Sequence, residues 1–123
     1  MVKVELEYHL KTSPSLLFAR FSSASGLEEW FADHVRVEGK KFTFVWNKAD
    51  YHAELVALRP NEYVRFKWID NDLSDEFEFR ITLDDITGDL ALVVIDTVEE
   101  SEKDDIANLW DNAVARLRQV TGS

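Results

Sequence analysis

Residues 26–46 read GLEEWFADHVRVEGKKFTFVW, and two periodicities meet inside them. Leu27, Trp30 and Phe31 are spaced i, i+3, i+4, so they share one face of a short helix. Ser25, with Glu28 three residues on, fits a capping box at the start of that helix. From Asp33 the apolar period falls to two. HVRV forms a short strand, Gly39 marks a tight turn, and Phe42, Phe44 and Trp46 fall on one side of the next strand. A helix-to-hairpin switch therefore sits beside two adjacent bulky aromatics, Trp30 and Phe31. Either they pack a core or they wall a pocket.

Toward the N-terminus, Val2, Val4, Leu6, Tyr8 and Leu10 alternate with Lys3, Glu5, Glu7 and His9, the pattern of a half-buried strand. In TSPSLLFARF, Ser13 is placed to cap a helix and Pro14 to occupy its first position. Leu17, Phe18 and Phe21 carry that helix to about Phe21. Toward the C-terminus, strands alternate with turn signals. YHAELVAL ends at Arg59-Pro60-Asn61. EYVRFKW places Val64, Phe66 and Trp68 on one face, with Tyr63, Arg65 and Lys67 on the other. EFEFRITL sets Phe77, Phe79, Ile81 and Leu83 inward, and Glu76, Glu78, Arg80 and Thr82 outward. LALVVIDTV is apolar without a break up to Asp96, so alternation does not assign its inward face.

The chain closes on a long amphipathic pattern. Ile106, Leu109, Trp110, Ala113, Val114, Leu117 and Val120 form one stripe. Ser101 with Asp104 reads as its N-terminal cap, Asp104 and Asp105 suit the positive end of the helix dipole, Arg116 and Arg118 the negative end, and Gly122 can terminate it. Seven strands joined by hairpin-length turns imply an antiparallel sheet with one charged, solvated face. The other face needs a cover, and only the long helix is large enough. The expected fold class is α+β: a curved antiparallel sheet of about seven strands wrapped around a long C-terminal helix, with two short helices after the first strand. Trp30 and Phe31 are then expected at the rim of any gap between sheet and helix.

At 123 residues, with no linker, repeat or low-complexity segment, residues 1–123 are expected to form a single domain. Eight Phe, four Trp and three Tyr require a substantial interior, or an interior plus a lined cavity. A net charge of −10 repels phosphates and anionic lipids, which argues against nucleic-acid and membrane partners. The absence of Cys removes disulfides, thiolate nucleophiles, Cys-ligated zinc and Rieske centres. The alternating N-terminal stretch MVKVELEYHL lacks the unbroken apolar segment of a signal peptide, and no apolar run reaches membrane-span length; a cytoplasmic location is expected.

The order of these elements, with three segments in particular, resembles the START-like (SRPBCC) helix-grip superfamily. Within it the chain is most similar to homologues of the heat-shock ATPase activator's C-terminal domain. GLEEWFADHVRVEGKKFTFVW resembles the family's helix-Trp and first hairpin, RPNEYVRFKW its proline, turn and Trp-ended strand, and LWDNAVARL its Trp-containing final helix. The resemblance implies a cavity between sheet and long helix. It implies no catalytic constellation, because the superfamily's members share the fold and not a chemistry.

Candidate ligand-binding residues are Trp30, Phe31, Phe44, Trp46, Phe66, Trp68, Phe79 and Trp110, which either line such a cavity or fill the interior. Polar candidates near it are His52, Glu54 and Asp96. His52 and Glu54 share a strand face, which is either a hydrogen-bonded pair or simply wet. No metal or other cofactor is expected. The stretch DNDLSD places Asp70, Asp72 and Ser74 like the start of a calcium loop, but Asp75 and Ile81 stand where such a loop needs Gly and Glu. His9, His34 and His52 have no zinc-ligand spacing. Three functions are compatible with these residues. One is a non-enzymatic module binding a small hydrophobic ligand in an enclosed pocket. Another is a protein-interaction or chaperone-accessory domain using an apolar patch such as Val45, Tyr63 and Ile69. The last is a cyclase- or hydrolase-type enzyme relying on His52, Glu54 or Asp96.

Overall fold

The computed structural model describes residues 2–69 and 75–122. The seven strands are β1 (Val2–Leu10), β2 (His34–Glu38), β3 (Lys41–Trp46), β4 (Ala49–Arg59), β5 (Tyr63–Trp68), β6 (Glu76–Leu83) and β7 (Leu90–Val98). Two short helices, α1 (Pro14–Ser22) and α2 (Ala24–Glu28), lie between β1 and β2. The long helix α3 (Lys103–Thr121) follows a short 3₁₀ turn at Glu100–Glu102. The sheet order is β1-β7-β6-β5-β4-β3-β2, and every neighbouring pair is antiparallel. The chain thus lays down β1, crosses by α1 and α2 to the far edge, and returns hairpin by hairpin until β7 closes against β1. The expected architecture is the observed one.

Local chemistry explains most of the boundaries. The Ser13 side chain accepts the Leu16 N–H at 3.2 Å and Pro14 occupies the first turn of α1. Asn47 and Lys48 both take positive φ, 52° and 67°, as a two-residue hairpin turn matching the sheet twist requires. Register shifts between Leu55 and Ala57, where β4 bulges. Gly122, at φ 76°, ends α3 in the left-handed region.

Two caps differ from the sequence reading. The second short helix begins one residue after Ser23, whose hydroxyl accepts the Gly26 N–H at 3.1 Å. Ser25 is a helical residue, and Glu28 accepts the Val35 N–H at 2.8 Å instead of closing a capping box. That bond fastens the helix to the strand that follows it. At the start of α3, Glu102 stands at the N-cap without a side-chain hydrogen bond, so Ser101 and Asp104 do not form a cap. Asp104 and Asp105 do lie in the first turn, where the helix dipole favours them.

The interior sits between the sheet's concave face and α1, α2 and α3. Phe42, Phe44, Val64, Phe66, Phe77, Phe79, Leu92 and Val94 are buried from the sheet side, and Leu17, Phe21, Leu27, Trp110, Val114 and Leu117 from the helices. Register settles the face that alternation leaves open in β7. Leu92 pairs with Ile81, Val94 with Phe79 and Asp96 with Phe77, so Asp96 continues the inward row.

Three side chains depart from the sequence-based expectation. Leu83, read as inward, is 53% exposed because it is the last residue of β6, at the entry to the Asp84–Asp89 turn. Glu78, read as outward and solvated, has only 7% of its side chain exposed, because Arg65 and Arg80 close over it at 2.9 and 2.7 Å. Val45, read as part of an exposed patch, is buried; it lies in a row between His34 and Asp50 of the flanking strands. Arg80 covers the Tyr63 ring, its guanidinium carbon 4.5 Å from the centroid. Ile69 alone of the three remains exposed, so they form no contiguous apolar patch.

Candidate functional site

Trp30 and Phe31 follow Glu29, the C-cap of α2, in a turn held by the Phe31 N–H to Leu27 carbonyl bond of 2.8 Å. Their side chains part company there. Trp30 is fully buried, its ring 5.4 Å from that of Phe79, and its indole N–H donates to the Arg20 carbonyl at 2.7 Å. It therefore locks α1 to the turn after α2 and lies in the packed interior, not at a rim. Phe31 points along the core. Its ring packs edge-on against Phe44 and Trp46, each at 5.1 Å, and stacks on Trp110 at 5.5 Å.

Beyond Phe31 the interior is not filled. A cleft of about 690 Å³ lies between the ends of the strands and the N-terminal half of α3. Trp46, Trp68 and Asp96 wall it from the sheet, and Ile106, Leu109 and Trp110 from the helix, with Phe31 at the inner end. Exposed Asn47, Glu102 and Leu109 also line it, so it opens to solvent instead of forming the enclosed pocket expected from sequence. The volume lies within the range of small-molecule sites, roughly 300–1,000 Å³.

Of the eight aromatic candidates, the structure brings Phe31, Trp46, Trp68 and Trp110 to the cleft wall. Trp30, Phe44, Phe66 and Phe79 lie in the packed interior, at most 1% exposed. The division follows position along the strand. Phe44 and Phe66 are interior residues of β3 and β5, whereas Trp46 and Trp68 are the last residues of the same strands, at the end where the cleft opens. Sequence reasoning did not single out the contribution of Ile106, Leu109 and Ala113. Their i, i+3, i+7 spacing with Trp110 is the signal that puts them on one side of α3. Leu109, read as a buried stripe residue, is 64% exposed because the helix overhangs the open cleft at that point.

The indole N–H groups show how this wall is fixed. Trp46 donates to the Phe31 carbonyl at 2.8 Å and Trp110 to Asp96 Oδ2 at 3.1 Å. Asp96 Oδ1 also accepts the Thr97 N–H at 2.8 Å. Burial pushes the Asp96 carboxyl above its usual range, more than the Trp110 and Thr97 hydrogen bonds pull it down, and the charge of Asp75 adds to the rise. His52 and Glu54 are elsewhere: Ala53 between them is fully buried, so both project from the sheet's other face, and neither lines the cleft.

Three bonds hold α3 in place while its N-terminal half spans the cleft. Tyr8 donates its hydroxyl to Asp111 at 2.7 Å, Arg118 donates to the His9 carbonyl at 3.2 Å, and Arg116 Nε donates to the Trp30 carbonyl at 3.2 Å. Burial, then the Asp111 hydrogen bond and charge, push the Tyr8 phenol well above its usual range, so it remains a donor at any ordinary pH. Among the described residues no group of three or more His, Asp or Glu is placed to hold a metal ion, and no helix is long and apolar enough to cross a membrane. Asp70, Asp72 and Ser74 of the calcium-loop pattern lie outside the described residues.

Comparison with known proteins bears on this geometry. A family model described as a START-like superfamily domain matches residues 1–123. Among solved structures, the Aha1 dimer from Colwellia psychrerythraea is 16% identical and superposes with a TM-score of 0.75, covering 98% of this chain and 94% of that one. The protein XoxI from Bacillus cereus is 10% identical, with a TM-score of 0.81 and coverages of 98% and 96%. DynU16, a putative protein in the dynemicin biosynthetic locus, is 16% identical, with a TM-score of 0.80 over 98% of this chain and 48% of that one. At such identities the likeness is one of fold. A search of curated protein sequences found no match.

Proposed function

The chain belongs to the START-like superfamily, and from that premise we propose that it takes up a small, largely apolar molecule between its sheet and α3. The observation that carries this reading is the cleft itself: about 690 Å³, walled by Phe31, Trp46, Trp68 and Trp110, beside an interior in which Trp30, Phe44, Phe66 and Phe79 are tightly packed. Apolar side chains that face an open cleft are exposed to water, and an apolar ligand would take that surface out of it. Trp46 and Trp110 are held by their indole hydrogen bonds, so the wall is formed before anything binds and little ordering cost remains.

The ligand-contacting residues in this proposal are Phe31, Trp46, Trp68 and Trp110, with Ile106 and Leu109 closing over them from α3. Trp30, Phe44, Phe66 and Phe79 serve as the packed support behind the wall. Asp96 supplies the polar contact that orients the ligand. The role is binding without chemistry: of the three titratable candidates only Asp96 reaches the cleft, so neither His52 nor Glu54 can complete an acid–base pair with it there.

Native mass spectrometry of gently purified protein, compared with the same sample denatured, tests the reading. The expected result is an added small-molecule mass that is lost on denaturation and is diminished in Leu109→Arg, which places a charge at the mouth. An added mass unaffected by Leu109→Arg would move the binding site away from the cleft.

A further inference from the structure

The charges around the cleft are not balanced. Among the described residues, Asp75, Asp96, Glu99 and Glu102 line it, against Arg116 alone. Arg116 is exposed, and its Nε is engaged by the Trp30 carbonyl. Asp75 and Asp96 are the half-buried members of the acidic set, and Asp96 sits on the wall beside Trp110. Its two oxygens each accept one hydrogen bond, leaving further acceptor capacity on both. Among the described residues no Lys, Arg or His forms an ion pair with it.

The aromatic walls have the same preference. The Trp46 ring lies 5.5 Å from Tyr51 and 6.3 Å from Trp68, at interplanar angles of 61° and 58°. These rings line the cleft together with Trp110, and the electron-rich face of an aromatic ring attracts a cation. A carboxylate and several aromatic rings lining one cavity suit an ammonium group attached to an apolar body. They repel a carboxylate or phosphate head. The net charge of −10 extends the same bias outward, concentrating cations near the mouth.

We infer that the cleft selects an organic cation, an apolar molecule carrying an ammonium group that pairs with Asp96 and rests against Trp46, Trp68 and Trp110. This rests on the cleft being the binding site. The apolar body lies along Phe31, Ile106 and Leu109, and the ammonium replaces solvent as the partner of the Asp96 carboxylate.

Phenylbutylamine, phenylbutanol and phenylbutyrate share one apolar body and differ in the charge of the head, so they separate the two claims. Each is titrated into the protein while the indole N–H resonances of its four Trp residues are followed by NMR. The inference predicts that the amine moves the Trp68 and Trp110 signals with one-to-one stoichiometry and leaves Trp30 still. It predicts that the amine binds about ten-fold tighter than the acid, the equivalent of ~1.4 kcal/mol and the scale of one partly desolvated cation–aromatic contact. Asp96→Asn should remove most of that preference, the amine losing more affinity than the alcohol. Glu99→Gln, at an exposed position on the mouth, should reduce it by a smaller factor and serves if Asp96→Asn does not fold. Equal binding of all three molecules, or tighter binding of the acid, overturns the charge inference and leaves the cleft as a binding site. Failure of every molecule to move the Trp68 and Trp110 signals overturns both. A many-to-one response spread over the surface also overturns the inference, because it would reduce the effect to nonspecific attraction by an acidic protein.

Discussion

Replacing Gly26 by alanine sets two physical effects against each other, and the structure decides the sign. In an isolated helix the change stabilises by about 1 kcal/mol, because alanine loses less backbone entropy. Here a Cβ on residue 26 would lie 2.2 Å from the Ala19 carbonyl oxygen, 2.8 Å from Arg20 Cα and 3.0 Å from the Arg20 carbonyl carbon. All three are backbone atoms of α1, so no side chain can swing aside. The joint between α1 and α2 would have to open by about 1 Å to restore ordinary contact. Overpacking of this kind costs about 1–3 kcal/mol. Opening the joint also pulls the Arg20 carbonyl from the Trp30 indole N–H, a bond of 2.7 Å whose loss adds about 1 kcal/mol. After subtracting the propensity gain, Gly26→Ala should destabilise the fold by about 1–3 kcal/mol, a fall in melting temperature of about 3–6 °C per kcal/mol at this chain length. Urea titration with paired thermal melts measures it, and the Trp30 indole resonance reports whether that bond is lost. A variant as stable as the parent, or more stable, would refute the claim that Gly26 is required by the close approach of α1.

Three further substitutions probe the charged and polar contacts. Glu78→Gln should cost about 1–2 kcal/mol at neutral pH, a figure reduced for the partial exposure of both arginines. Burial raises the Glu78 carboxyl, but the hydrogen bonds and charges of Arg80 and Arg65 outweigh it and hold it below the usual range. The stability it supplies is thus present at neutral pH and lost as pH falls through that lowered value, and the gap between parent and variant melting temperatures should close on acidification. Asp96 has the opposite sign. Its raised carboxyl favours the folded state most below the ordinary carboxylate range, and that advantage is lost as pH rises through the folded value. The melting temperature of the parent minus that of Asp96→Asn should therefore fall with rising pH and then level off; a flat difference would contradict the assigned burial. Trp110→Phe keeps the stack on Phe31 but removes the donor to Asp96 Oδ2, and should cost about 1–2 kcal/mol in urea titration.

Most of the architecture is legible because each periodicity has one physical cause. Alternation along β1, β3, β5 and β6 reflects a sheet with one dry face, and the stripe on α3 reflects the same core seen from the helix. The inward face of β7 was not legible, because its apolar residues fall on both sides; only its pairing with β6 places Asp96 beside the cleft. The caps were ambiguous for a different reason. Residues 22–25 contain three serines, and the choice of Ser23 over Ser25 depends on where Gly26 meets α1.

The candidate site was legible as a set of inward aromatics but not as a partition of them. Phe44 and Trp46 have the same phase in one strand, yet one lies in the packed interior and the other on the cleft wall. What separates them is where the cleft opens along the strand, a tertiary feature that spacing within a strand does not encode. Leu109 illustrates the converse. Its helical phase is that of a core residue, and it is exposed because the space opposite it is open.

The central claim is that the space between the sheet and the N-terminal half of α3 holds a small apolar molecule. Titration with the neutral dye Nile red, comparing the parent with Ala113→Trp, tests it most directly. Ala113 lines the cleft, and a Trp there would occupy the space proposed for the ligand. The account predicts one dye per parent chain, with blue-shifted emission, and loss of that signal in an Ala113→Trp variant that keeps a cooperative melt. No uptake by the parent, or equal uptake by the folded variant, would contradict it.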